Sequence, residues 1–167
     1  RKRLEIENEV PIMAVLPGSR KSEIHSNLPI FLETIKMVAA TYTDLIFVIP
    51  SVIGIEDTIL KYVSKFRQNT GLNVIILMRQ DSESANDFEG MKYALFRTAA
   101  IALATSGTVV LELARMGVPL VVGYRSYFLN EIMIRFLVKT KRANLIDIIA
   151  NSRDIPEFIF SDCNPPN

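Results

Sequence analysis

The chain is poor in the side chains that build disulfide frameworks and metal centres. It has one cysteine, one histidine and no tryptophan in 167 residues. A lone Cys163 excludes an internal disulfide framework and any multi-cysteine metal site, and one His beside one Cys leaves no metal constellation. Charge of one sign is also lacking: 19 Lys+Arg against 18 Asp+Glu give a formal net charge of +1. That balance provides no bulk attraction to nucleic acid, and no basic patch meets an aromatic platform. No apolar run approaches the roughly 18–20 residues that span a bilayer. The charged start, Arg1-Lys2-Arg3-Leu4-Glu5, is not followed by an apolar stretch of signal-peptide length. Internal repeats and low-complexity tracts are missing as well. The expectation is a cytoplasmic protein. Both ends, one without an initiator Met and the other at Asn164-Pro165-Pro166-Asn167, read as cuts rather than natural boundaries.

What is present suits one compact domain. Hydrophobic residues make up 49% and charged residues 22%, the balance of a folded chain with a sizeable core. Short, branched, nearly unbroken apolar runs occur at residues 12–16, 45–49, 74–77, 100–104 and 120–122. Such runs predict strands buried on both faces of a parallel sheet. Their starts lie about 20–33 residues apart, room for a strand, a crossover helix and two loops. Between them, Ile24, Leu28, Phe31, Ile35 and Val38 form one apolar helical stripe. Residues 55–68 predict a second helix. Residues 107–116 predict another, stopped by Gly117 and Pro119. The polar stretch 79–90 has no clear period and reads as a long loop, with at most a helical turn. Alternating strands and helices give an α/β, doubly wound, Rossmann-like parallel sheet, in which ligands bind beyond the carboxyl ends of the strands where strand order reverses.

Two loops follow a strand and open a helix. In Leu16-Pro17-Gly18-Ser19-Arg20, Pro17 and Gly18 make a tight turn and Gly18 admits a ligand to the backbone. Ser19 or Ser22 can cap the helix, and Arg20 offers a fixed-charge fork suited to phosphate. An ordinary strand-to-helix turn with an exposed arginine explains the same residues. In Ala104-Thr105-Ser106-Gly107-Thr108, small residues leave amides free at a helix N-terminus, an anion site. Glu112, one turn on from Thr108, could accept hydrogen bonds from a ribose diol. The plainer reading is a Ser/Thr cap with an acidic residue complementing the helix dipole. Strands one and four are neighbours at the switch point of a doubly wound sheet, so both loops would face one crevice, suggesting a nucleotide or sugar nucleotide. Neither loop is GxGxxG or GxxxxGK[ST], which disfavours dinucleotide and P-loop chemistry.

Other residues point less far. His25 reads as a surface helix residue beside the crevice rather than a catalytic base, and Cys163 as an inert tail residue. Residues 127–142 mix apolar side chains with Arg135, Lys139, Lys141 and Arg142. They fit either a membrane surface or, preferably, an interface with a second domain.

Taken in order, LPGSRKSEI and LPIF (16–24, 28–31), ATSGTVVLELARMGVPLVVGYR (104–125), RFLVKT (135–140) and IPEF (155–158) make the chain resemble the lipid-A-disaccharide synthases. The resemblance runs from about residue 11 to just past residue 156. It implies a GT-B glycosyltransferase of family 19, a UDP-dependent hexosyltransferase, with this chain as its C-terminal donor-binding half. The expected organisation is a linker remnant over 1–10, the donor domain over 11–160 and a tail over 161–167. The implied reaction joins UDP-2,3-diacylglucosamine to lipid X and releases UDP, with no cofactor and no bound metal. Gly18, Ser19 and Arg20 would contact the donor diphosphate or sugar, with Arg20 stabilising the leaving group. Ser106, Gly107 and Thr108 would hold phosphate, and Glu112 the ribose. The implied partners are those two substrates and an N-terminal acceptor domain holding the general base. Peripheral contact with the inner face of the inner membrane is a further implication.

Departures from the family accompany the match. Residues 144–153 depart from the usual SLPNLLAGRE: Asp147 stands where Asn is expected, and Asn151-Ser152 replace Gly-Arg. Asp147 falls in the family's donor-binding region, and a carboxylate beside a diphosphate repels it, weakening donor affinity. Without the acceptor half, the chain alone is expected to bind UDP weakly and transfer nothing. Competing readings are another GT-B donor domain, or a non-catalytic or split-gene domain that needs a separate N-terminal half.

Overall fold

A computed structural model describes residues 10–79, 84–125 and 154–164. Within them run β1 (Ile12–Leu16), α1 (Lys21–Thr41), β2 (Ile46–Pro50), α2 (Glu56–Thr70), β3 (Val74–Leu77), α3 (Ala85–Thr98), β4 (Ile101–Ala104), α4 (Thr108–Arg115), β5 (Leu120–Tyr124) and β6 (Glu157–Ile159). The strands form one sheet of order β3-β2-β1-β4-β5-β6, with every pair parallel. This is the expected Rossmann-like architecture.

The unbroken apolar runs arise because β1 buries both its faces. Met13 and Val15 face α1 and α2, beside Ile24, Leu28, Phe31, Ile59 and Val63. Ile12, Ala14 and Leu16 face the opposite layer, beside Leu95, Phe96, Val110 and Leu113 of α3 and α4. Each fully buried large aliphatic or aromatic side chain contributes roughly 1.5–3 kcal/mol, so the two layers together fix the sheet. The stripe on α1 is as expected at Ile24, Leu28, Phe31 and Ile35, which are buried, while Val38 is partly so. Gly123 of β5 brings the sheet close to α1, since a Cβ there would stand 2.8 Å from Phe31 Cε1.

Two segments differ from expectation. The stretch read as a loop over 79–90 turns helical at Ala85. Ser84 caps it by accepting a hydrogen bond from the Asp87 amide at 3.1 Å, and Phe88, Leu95 and Phe96 bury its inner face. Gly90 and the polar start masked a stripe at 88, 91, 95 and 96. At the other end, the short β6 adds a sixth strand beside β5, with Phe158 opposite Gly123. Three residues after a proline carry too little pattern to read as a strand. Cys163 follows it and is buried, 4% exposed. Burial pushes its thiol pKa up against the opposing pull of the Arg125 charge and a backbone hydrogen bond at Tyr124. Among the described residues no helix is long and apolar enough to cross a membrane.

Candidate functional site

Sheet order places β1 between β2 and β4, with Leu16 paired to Ala104 at the carboxyl ends. From there the chain leaves β1 toward α1 on one face and β4 toward α4 on the other. Divergence of the two connections opens a crevice at the switch point. It forms a cleft of about 390 Å³, and Gly18, Ser19, Arg20, Ser106, Gly107, Thr108 and Glu112 all line it. Asp147 and residues 127–142 lie outside the described residues.

The β1–α1 loop is built around an acid. Backbone N–H groups of Ser19 and Arg20 donate to Glu23 Oε2 at 2.8 and 3.3 Å, and Arg20 Nη1 donates to Glu23 Oε1 at 2.8 Å. Arg20 itself is the N-cap residue of α1, in extended conformation, so neither Ser19 nor Ser22 caps the helix as the sequence suggested. Glu23 reaches back in the manner of a capping box and satisfies two orphan amides. Gly18 is required by that approach. Its φ is +130°, and a Cβ would stand 2.5 Å from Glu23 Cβ and 2.6 Å from Glu23 Oε2. The Arg20 side chain remains 78% exposed at the cleft mouth.

The β4–α4 loop is built differently. Gly107 is the N-cap of α4, no side chain caps it, and no acidic residue occupies the first turn. The plainer Ser/Thr-cap reading therefore does not describe this loop. The start of α4, where the positive end of the helix dipole and its unpaired amides lie, lines the cleft through Gly107, Thr108 and Val109. Glu112 sits one turn deeper, with Lys92 Nζ 3.2 Å from its Oε2. That oxygen is buried and accepts no well-directed hydrogen bond, so the contact is an ion pair and the oxygen retains accepting capacity.

Lys92 is a cleft residue that the sequence does not point to, because its helix lies in and just beyond the stretch read as a loop. Its ammonium also meets Glu89 at 2.7 Å and lies 5.0 Å from the centre of the Tyr93 ring. Burial works to lower its pKa. The close contacts with the Glu89 and Glu112 carboxylates, and their charges, outweigh burial, holding Lys92 above the ordinary lysine range. Phe88, Pro50, Ser51 and Val52 complete a wall of mixed polarity. His25 does not line the cleft. Its Nδ1 lies 3.0 Å from Tyr62 Oη, with the rings edge to face, so it joins α1 to α2.

Asn27 was also missed. It lies on the buried face of α1, wholly inaccessible, and its amide bonds to the chain beyond three strand ends. Its sequence signal is an amide set among the apolar stripe positions 24, 28 and 31.

The profile of the lipid-A-disaccharide synthetase family matches residues 1–167. The chain is 34% identical to the lipid-A-disaccharide synthase of Rhodospirillum centenum, over 99% of this chain and 38% of that protein. It is 34% identical to that of Rickettsia prowazekii, over 98% and 39%. It is 31% identical to a probable mitochondrial lipid-A-disaccharide synthase of Arabidopsis thaliana, over 97% and 33%. The chain thus spans well under half the length of the curated relatives it matches. With a match along its whole length and the two family loops joined in one cleft, the chain belongs to the lipid-A-disaccharide synthetase family.

Proposed function

We propose that this chain is the donor-binding part of a GT-B glycosyltransferase that transfers 2,3-diacylglucosamine from UDP to lipid X, releasing UDP. The observation that carries the reading is the meeting of the LPGSR and TSGT loops across one cleft, at the carboxyl ends of two adjacent parallel strands. One loop supplies a guanidinium and the other the N-terminus of a helix. Together they suit the two phosphates of a nucleoside diphosphate.

Chemistry follows from where charge develops. As the glycosidic bond to the donor breaks, negative charge accumulates on the departing β-phosphate. The backbone donors at the start of α4 are fixed before the reaction, so they stabilise that charge without reorganising, and Arg20 at the cleft mouth adds its positive charge. Glu112, which lines the cleft, binds the ribose diol, with Lys92 holding the buried Oε2 of its carboxylate in place. Attack by the acceptor hydroxyl requires a general base, which we assign to an acceptor domain with which this chain works.

Calorimetric titration with UDP, with ADP as control and Arg20→Ala as a second protein, tests the reading. Selective UDP binding that weakens about 10–100-fold in Arg20→Ala is expected, the scale of a lost charge-assisted contact. Equal binding of ADP, or UDP binding indifferent to Arg20, would contradict it.

A further inference from the structure

The hydrogen-bonded ladder between β1 and β4 ends where the Thr105 amide donates to Leu16 O at 2.8 Å. Beyond that bond the two chains separate into the loops that line the cleft. The first polar link past the end of the ladder is Asn27, reaching up from α1. Its Nδ2 donates to Pro17 O at 3.3 Å and to Thr105 Oγ1 at 3.4 Å, and its Oδ1 accepts from the Arg125 amide at 2.7 Å. One side chain therefore ties the residue before Gly18, the residue before Ser106 and the residue after β5.

The chemistry of those partners demands an amide. Arg125 N–H can only donate and Pro17 O can only accept, so the residue between them must both accept and donate. A carboxylate would set oxygen against oxygen at Pro17, and an aliphatic side chain would leave a buried N–H and C=O unpaired. Asn27 is 0% exposed, too deep to touch a ligand, yet each of the two loops it holds bears cleft-lining groups within one residue of the bond.

We propose that Asn27 is the positioning residue that sets the gap between the two phosphate-facing loops, matching it to a diphosphate rather than a single phosphate. The inference rests on the donor-diphosphate reading above. A ligand with one phosphate needs one loop, whereas a diphosphate needs both at the right separation. Loosening the junction therefore costs the second phosphate its partner and leaves the first largely served.

The test compares UDP and UMP affinity by calorimetry for the unmodified chain, Asn27→Leu and Thr105→Val, with thermal melts as the check on folding. The unmodified chain is expected to favour UDP. In Asn27→Leu, UDP affinity falls about tenfold or more while UMP affinity falls less than about threefold, so the preference collapses. Thr105→Val removes only one of the three bonds and shows a smaller loss of preference, with a cooperative melt retained. It decides the matter if Asn27→Leu fails to fold. An unchanged UDP-to-UMP ratio in the folded variant, even with lower melting temperature, means Asn27 is structural only and overturns the inference. Failure of the folded, unmodified chain to bind UDP overturns the donor reading and this inference with it. UDP binding without preference over UMP overturns the inference alone.

Discussion

The two loops that line the cleft present an anion with opposite starting conditions. The β1–α1 loop already holds a carboxylate: Glu23 takes the Ser19 and Arg20 amides and the Arg20 guanidinium. The β4–α4 loop has no internal acid at its helix start, and Gly107 caps α4 with no side chain across it. One loop is thus pre-shaped by a charge of its own, and the other keeps the positive end of its helix for a ligand. Similar strand-loop-helix turns thus divide the work, one by a side-chain cation paired with its own carboxylate and one by fixed backbone dipoles.

The largest expected effect breaks the pre-shaped loop. Gly18→Ala places a methyl on Glu23 at a left-handed φ, and should cost about 2–4 kcal/mol of stability with loss of UDP binding, read by melting and titration. If alanine is accepted without change, Glu23 does not shape the loop. Glu23→Gln keeps the shape and removes the charge, freeing Arg20 from its ion pair. UDP affinity should rise about threefold, with a stability change under about 1 kcal/mol because the pair is exposed on the Arg20 side. A fall in affinity would mean the carboxylate aims Arg20 rather than competing for it.

Deeper in the cleft, Lys92 carries a pH signature. Its folded pKa is raised, so its contribution to stability is complete below the unfolded value of about 10.4 and is lost as pH rises through the folded value. Melting temperature against pH should show this alkaline loss in the unmodified chain and lack that component in Lys92→Met. Equal alkaline slopes would refute the coupling to Glu89 and Glu112. The smallest effect belongs to the open loop: Thr108→Ala removes one hydroxyl beside backbone donors and should weaken UDP about threefold.

How much of this could be read in the sequence depended on whether a residue's role was local. Five strands were legible because burial on both faces leaves runs such as Ile12–Leu16 without polar interruption. The adjacency of β1 and β4, and hence the meeting of the two loops, followed from winding rules alone. The start of α3 was not legible, since Gly90 and the polar residues before Phe88 hide its period, and Lys92 was lost with it. Glu23 stood in plain view within the motif, yet its hold on Gly18 and Arg20 depends on a turn geometry that spacing does not specify. Asn27 was hidden for another reason: its three partners lie 10, 78 and 98 positions away, and only the fold brings them together.

In the donor reading, both loops hold one diphosphate. Amide chemical shifts followed through a UDP titration of the isotope-labelled chain test it most directly. The Ser19 and Arg20 amides and the Gly107 and Thr108 amides are expected to move together along one binding curve. Movement confined to one loop, or two curves with different midpoints, would contradict it.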